Sequence, residues 1–489
     1  MQRTISVRNP RTGEHDYVFT PPETAEIVAI CRDMRREQSA WGAAPLEERL
    51  AVLRKWADAI EASATVIGDA EFADTGRYRR SHEVPLMVVK ALRSWCERAA
   101  GVMEKAYLQG DSSTFKDVTF ETQLMPYPLV GIISPWNQPF LLSTMDAIPA
   151  LVAGCAVIIK PSEVTPRFIE PVMSTIRAVP ELAKVLRYVQ GDGKVGQDII
   201  QQVDMQCFTG SVPTGRLVAE ACAKRFIPAF LELGGKDAAI VTENADIERA
   251  ATAVLRGSVW CTGQICFATE RVYVQESVHD RFVKVLSEQA NALRVTYPDH
   301  SSGEINPFIF ERQAEIVDRH IDDALAKGAR IVAGGKSQRL GGGLYMEATV
   351  MTDVTHDMAI MTEETFGPIT PVMKYKTEED AVRLANDTQY GLSGSVIGGD
   401  MEEAIRIGRQ LNAGAIALQD TAITEAILRD AEKNSFNKSG MGGSRMGPSG
   451  LLRFFRKKAL IMNHGRVKSM AEESEDTFRS AQPPQRIAS

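Results

Sequence analysis

Between residues 20 and 110 apolar side chains return every three to four positions, through Leu46, Leu50, Leu53, Trp56 and Ile60. That spacing is one face of an α-helix. Gly68, Gly76 and Pro85 interrupt the pattern and predict helix breaks. Over residues 112–126 (SSTFKDVTFETQLMP) the pattern turns to alternation, with Phe115, Val118, Phe120 and Leu124, predicting a hairpin or an extended arm. Short apolar runs then follow at LVGIIS (129–134), CAVIIK (155–160), VLRYVQ (185–190), QCFT (206–209) and AAIV (238–241), separated by helix-like stretches. Strands alternating with helices predict βα units and a parallel sheet. RVYV (271–274), RIVAGG (330–335), ITPVMKY (369–375) and AIAL (415–418) predict a second α/β domain. From Val467 the chain is polar, Pro-containing and aperiodic, and residues 467–489 are read as a disordered tail.

Composition narrows the function class. The chain has 489 residues, 44% hydrophobic and 24% charged, with a net charge of −7. It lacks the basic footprint that nucleic-acid binding requires. The most apolar stretch, Pro149 to Ile159, is too short for a membrane span, which needs roughly 18 residues. The N-terminus carries charges where a signal peptide would be apolar, so a soluble cytoplasmic protein is expected. The seven cysteines form no CxxC pair and the seven histidines are scattered, arguing against a disulfide framework and against a metal site.

Two glycine-rich turns could meet a phosphate. Gly191-Asp192-Gly193-Lys194-Val195-Gly196 matches GxGxxG after a predicted strand, but no acidic residue stands about twenty positions on. Phe208-Thr209-Gly210-Ser211-Val212-Pro213-Thr214-Gly215 again runs from strand to turn to helix, offering amides and a serine to an anion. There is no GxxxxGK[ST] for a nucleoside triphosphate.

Several segments stand in order and in register. They are Pro135-Trp136-Asn137-Gln138-Pro139, Ile159-Lys160-Pro161-Ser162-Glu163, Phe208-Thr209-Gly210-Ser211, Glu232-Leu233-Gly234-Gly235-Lys236 and Gly263-Gln264-Ile265-Cys266, followed by Glu363-Glu364-Thr365-Phe366-Gly367-Pro368 and Asn386 to Leu392. Over residues 20–460 the chain resembles the NAD(P)-dependent aldehyde dehydrogenase superfamily. The resemblance implies an α/β fold with a Rossmann-like cofactor domain (1–110 and 127–233) and an α/β catalytic domain (234–434). A small β oligomerisation arm and C-terminal segment (111–126 and 435–466) would complete a homodimer or homotetramer.

The residues also make chemical sense. Direct hydride loss from a neutral carbonyl is unfavourable, whereas addition of a thiolate gives an oxyanion that can expel hydride and leave a thioester. Cys266 is the candidate nucleophile, behind a Gly263-Gln264 turn that reads as room for substrate. Asn137, between two prolines, is the candidate oxyanion donor beside the Cys266 backbone N–H. Glu232 resembles the family's general base. No histidine stands within these motifs, which argues against a Cys–His mechanism. By resemblance the cofactor is NAD, with NADP an alternative. Lys160 and Glu163 would hold the adenosine ribose, Glu163 opposing a 2′-phosphate, with Gly193 in an adenine-side wall. Phe208, Thr209, Gly210 and Ser211 would flank the pyrophosphate. Glu364 and Phe366 would position the nicotinamide ribose and ring, and Ile133, Pro135, Trp136, Ser162, Leu233 and Gly234 would be further cofactor contacts.

For the substrate, the helix after Asn137 sets Leu141, Leu142 and Met145 on one side, and Trp260, Ile265 and Phe267 flank Cys266. By resemblance these line an apolar tunnel with no evident arginine for a second carboxylate, so an aromatic or medium-chain aldehyde is expected. Residues 415–447 depart from the family: Gln419 or Asp420 replaces its asparagine, the PFGG is absent, and Ser444 or Arg445 stands where a glutamate is common. Two rivals are a CoA-acylating dehydrogenase, against which Glu232 speaks, and a non-catalytic protein on the same scaffold, which would carry a damaged site.

Overall fold

A computed structural model of the chain describes residues 3–475 and 478. Two parallel-rich sheets organise it. The first has six strands in the order Gly440–Met441, Ala229–Glu232, Met205–Thr209, Leu129–Ile133, Ala156–Lys160 and Leu186–Tyr188, all parallel except the two-residue edge strand at 440–441. The second has seven, in the order Arg330–Ala333, Thr349–Thr352, Ile369–Tyr375, Thr269–Gln275, Asp237–Val241, Ser393–Ile397 and Ala415–Leu418, antiparallel only at its first pair. Runs such as Ala156–Lys160 and Asp237–Val241 are buried along their whole length. A parallel strand covered on both faces has no polar side to alternate with.

The N-terminal helical region resolves into helices Thr24–Ala43, Leu46–Ala62, Ala64–Thr75 and Tyr78–Ala106. Only one of the three expected breaks occurs. Gly76 ends a helix in the left-handed region (φ 67°), returning its N–H to the carbonyl of Phe72. Gly68 lies inside a helix, where a larger side chain would collide with His82. Pro85 sits inside the long helix, whose buried stripe Val84, Val88, Val89, Leu92 and Cys96 keeps it continuous. Tertiary burial outweighs the lost hydrogen bond there.

The alternating segment forms Val118–Pro126, the middle of a three-stranded antiparallel sheet between Gln109–Asp111 and Phe455–Asn463. The stretch 435–466, grouped with this arm from sequence, divides. Gly440–Met441 adds to the edge of the six-stranded sheet, and Phe455–Asn463 adds to the arm. Strands at Ala229–Glu232, Thr349–Thr352 and Ser393–Ile397 were not expected from sequence, since each is short and set among glycines or polar residues. In the C-terminal tail, 467–475 are described, with Arg466 paired to Glu472. The expectation of disorder beyond them falls on residues 476–477 and 479–489, outside those described. No helix among the described residues is long and apolar enough to cross a membrane.

One buried ion cluster ties the divergent C-terminal segment to the core. Asp146, inside helix Pro139–Ala153, accepts from Arg445 Nη2 at 2.6 Å and pairs with Arg453. The two guanidiniums hold the Asp146 carboxyl below its ordinary range despite its burial. Asp146→Asn leaves two buried cations without an anion, and we expect it to cost about 3–5 kcal/mol in urea unfolding. An unchanged unfolding midpoint would contradict this anchoring.

Candidate active site

Every strand of the six-stranded sheet that matters to the site ends where a motif begins. Leu129–Ile133 runs into Pro135-Trp136-Asn137, Met205–Thr209 into Gly210-Ser211, and Ala229–Glu232 ends on Glu232 itself. Leu129–Ile133 lies between Met205–Thr209 and Ala156–Lys160 in the sheet. That is the point where strand order reverses, and such crevices at the carboxyl ends of strands receive ligands.

Cys266 comes from the other sheet, in the loop between helix Ile247–Val259 and strand Thr269–Gln275. The chain turns there through three consecutive left-handed residues, Cys261 (φ 54°), Thr262 (φ 60°) and Gly263 (φ 66°). For two non-glycine residues this is uncommon, and the surroundings must hold it. Arg77 does so: buried, it donates to the carbonyls of Asn137 at 2.8 Å and Cys261 at 2.6 Å. Asn137 Nδ2 donates to the Gln264 carbonyl at 3.0 Å, leaving one amide hydrogen uncommitted. Gly263 does not provide room for substrate, as the sequence suggested. A side chain there would strike the carbonyl of Gly367, so the glycine permits close packing on the Glu363–Pro368 loop.

Two cavities meet at this point. One, of about 740 Å³, is lined by Leu141, Leu142, Met145, Ile265, Phe267, Leu392 and Leu428, with Lys433 and Arg445. The other, of about 550 Å³, is lined by Pro135, Trp136, Gly210, Ser211, Gly234, Gln313, Glu364 and Phe366. Asn137, Leu142, Thr209, Glu232, Leu233 and Cys266 border both. Burial pushes the Cys266 thiol up to about 12. Lys433 draws it down, and Asp237, Glu232 and Glu364 raise it further. At rest Cys266 is therefore a neutral thiol. Glu232 accepts from Ser435 Oγ at 2.7 Å, with Lys433 Nζ 3.9 Å away.

The loop opposite is fixed by a buried ion pair. Lys236 Nζ meets Glu270 at 2.8 Å and Thr365 Oγ1 at 2.8 Å, and Glu270 in turn accepts from the N–H groups of Thr365 and Phe366 at 2.8 and 2.7 Å. His320 joins through Thr365 at 3.2 Å. This network presents Phe366 edge-on to Trp136, with ring centroids 5.6 Å apart. Glu364 accepts from the Gly235 N–H at 3.2 Å, and burial with Glu270 nearby raises its carboxyl to about 8. At the far end the buried Lys160 ammonium donates to the Gly191 carbonyl at 2.9 Å and to Glu163 at 3.4 Å. Asp192 caps helix Gly193–Ile200, and no atom lies near where a Gly193 side chain would stand. Exposed Ser211 precedes helix Val212–Arg225, whose free N–H groups suit a pyrophosphate. A dinucleotide fits this cleft: cation and carboxylate at one end, amides midway, aromatic and carboxylic groups beside Cys266.

The sequence profile of the aldehyde dehydrogenase family matches residues 1–460. The chain belongs to the aldehyde dehydrogenase family. It is similar to the solved structure of the aldehyde dehydrogenase PutA from Anabaena variabilis, with 47% identity and a TM-score of 0.92 over 96% of this chain and 99% of that one. It is also similar to the betaine aldehyde dehydrogenase of Staphylococcus aureus, solved with NAD+, at 28% identity and TM-score 0.88 over 95% and 92% of the two chains. A Mycobacterium ulcerans protein named as a succinate-semialdehyde dehydrogenase with NADP(+) is 33% identical over 468 residues, 94% of this chain and 89% of that protein.

In this aldehyde dehydrogenase the expected residues largely converge. Leu141, Leu142, Met145, Ile265 and Phe267 line the larger cavity, and Pro135, Trp136, Thr209, Gly210, Ser211, Leu233, Gly234, Glu364 and Phe366 the other. Lys160, Glu163 and Ile133 gather around the 191–196 turn, with Ile133 against Gly196. Ser162 Oγ instead caps the local turn through the N–H of Val164, and the Phe208 ring packs against Gly210. Trp260 is not in the cavity wall: its ring lies behind Phe267, beneath the guanidinium of Arg80. An arginine does reach the larger cavity, contrary to expectation, yet Arg445 is occupied by Asp146 and by Thr209 Oγ1 at 3.0 Å. Sequence reasoning missed Arg77, Glu270, Lys433 and Ser435. A lone charged residue reads as surface, and only Lys236, inside Glu232–Lys236, had a motif to signal it.

Gly263→Ala combines a left-handed φ with a collision on Gly367. We expect a loss of at least about 1–3 kcal/mol in stability and of nearly all activity, measured by thermal melting and by aldehyde-dependent cofactor reduction. A variant as stable and active as the parent would show the loop tolerates a wider turn.

Proposed function

We propose that this protein oxidises an aldehyde to its carboxylic acid with NAD, NADP being the lesser cofactor, through a thioester on Cys266 that water hydrolyses. The observation that carries the reading is the meeting of Cys266, Glu232 and Asn137 in the wall between two cavities. The aldehyde enters the larger one. A water molecule takes the Cys266 proton, and the sulfur adds to the carbonyl carbon as its π bond breaks, giving a thiohemiacetal oxyanion. The free Asn137 N–H and the Cys266 backbone N–H receive that charge, a contribution of about 10²–10³ in rate per donor. Collapse of the oxyanion expels hydride and forms the thioester. Bound in the second cavity, a nicotinamide dinucleotide supplies the acceptor for that hydride. Glu232 then takes a proton from water as its oxygen attacks the thioester, and the sulfur leaves as the acid is released.

The cavity wall of Leu141, Leu142, Met145, Ile265 and Phe267 supports an apolar aldehyde, aromatic or medium-chain. Arg445 is paired and offers no free guanidinium to a second carboxylate. The reading includes a cytoplasmic homodimer or homotetramer. All seven cysteines are free, and strand Phe455–Asn463 turns Leu460, Ile461 and Met462 to solvent, where a second copy could cover them.

Glu232→Gln should still form the thioester but fail to hydrolyse it. With cofactor and an apolar aldehyde it should give a burst of about one reduced cofactor per site and then nearly stop, with the acyl adduct on Cys266 by intact mass. Cys266→Ser should abolish both phases. Steady turnover of Glu232→Gln near the parent rate, or a parent enzyme that stalls until free CoA is added, would overturn hydrolysis by water. For the cofactor, Glu163 is partly exposed beside Lys160, and its charge opposes a 2′-phosphate. NAD should exceed NADP in kcat/KM, and Glu163→Gln should narrow the gap. A parent enzyme that prefers NADP would refute this.

A further inference from the structure

The segment that departs from the family, 415–447, is not a passive wall. It places two side chains of its own against the proposed base. Ser435 Oγ donates to Glu232 Oε2 at 2.7 Å, Lys433 Nζ donates to Ser435 Oγ at 3.1 Å, and the ammonium lies 3.9 Å from the same Glu232 oxygen. The Lys433 side chain is 6% exposed, and its backbone N–H is pinned by Ser444 Oγ at 3.2 Å. Lys433 lines the same cavity as Cys266 and Glu232. Burying an ammonium is costly unless it is matched with negative charge, so its position demands an electrostatic counterpart.

We infer that Lys433 and Ser435 form a positioning clamp for the active site: Ser435 aims the Glu232 carboxylate, and Lys433 supplies the positive charge that offsets the acids around Cys266. This rests on the roles proposed for Glu232 and Cys266. The charges facing the pair are few. Cys266 faces Lys433, Asp237, Glu232 and Glu364, and Lys433 is the only cation of that group. Glu232 faces Lys433 and Arg445, but Arg445 is held by Asp146. Lys433 also acts on Asp237, whose buried carboxyl is raised to about 7. Without Lys433, formation of a thiolate would add a negative charge to a cluster of three carboxyl groups with nothing to oppose it.

The test separates this clamp from the proposed reaction. Cys266 is the one partly accessible cysteine, the other six being buried, so its alkylation by iodoacetamide can be followed by intact mass in the free enzyme at each pH. Lys433→Met should move the pH dependence of alkylation up by about one unit, lowering the rate near pH 8 about tenfold. Lys433→Arg should restore it to within about twofold. Ser435→Ala, which keeps the ammonium, should leave the alkylation profile in place. With aldehyde and cofactor, it should keep the burst while slowing steady hydrolysis about tenfold. Superimposable alkylation profiles for parent and Lys433→Met would overturn the electrostatic role. Parent-like steady turnover in Ser435→Ala would overturn the positioning role. If Lys433→Met does not fold, Lys433→Gln takes its place, and should it fail too, an Arg variant that alkylates unlike the parent overturns the charge-based account. If no aldehyde is oxidised by the parent enzyme, the proposed reaction fails, while the alkylation profiles still decide whether Lys433 acts on Cys266.

Discussion

Arg77 is buried where the two sheets face each other, and its guanidinium reaches one backbone carbonyl from each side, Asn137 and Cys261. Asn137 belongs to the loop after a strand of the six-stranded sheet, and Cys261 to the turn before a strand of the seven-stranded one. The spacing between the Asn137 amide and the Cys266 thiol is therefore set by this planar cation together with the direct bond from Asn137 Nδ2 to the Gln264 carbonyl. The left-handed turn at Cys261–Gly263 and the donation from Asn137 to Gln264 both lie within reach of that bridge. Moving Arg77 would release both loops together, because one guanidinium holds a carbonyl of each.

Opposite this bridge a second buried cation performs the matching task. Lys236 and Glu270 draw in the Thr365 and Phe366 amides, so that the aromatic side of the cofactor cleft is held from beneath. The site is thus framed by two buried cations, Arg77 held by two backbone carbonyls and Lys236 by the Glu270 carboxylate and the Thr365 hydroxyl. Charges of this kind are expensive to bury and costly to leave unpaired, which makes the frame stiff. Inside it the acids dominate, with Glu232, Asp237 and Glu364 around a protonated thiol.

The sequence made the motifs legible because their chemistry is carried by short contiguous runs: Pro135–Pro139, Glu232–Lys236 and Gly263–Cys266 each land on one loop or strand end. Apolar runs were equally plain, AIAL (415–418) and ITPVMKY (369–375) being found at their expected bounds. What escaped was pairing over distance. Nothing local marks Arg77 as buried, or brings Lys433 to Glu232 across about two hundred residues of chain. Pro85 misled because helix continuity was decided by the packed stripe of which it is itself a buried member. Trp260 misled because nearness in sequence to Cys266 does not fix which way a left-handed turn throws its neighbours.

The wall that separates the two cavities is only a few side chains thick, since Cys266, Glu232, Asn137, Thr209, Leu142 and Leu233 border both. Two ligands, one in each cavity, can therefore meet the same sulfur. Neither has to pass through the other's room, so one compartment can empty while the other stays filled. In the reaction proposed above, reduced cofactor would leave and water would reach Glu232 from the second cavity, with the first still filled. There the separation would shield a thioester on Cys266 from chance hydrolysis until Glu232 is free to act.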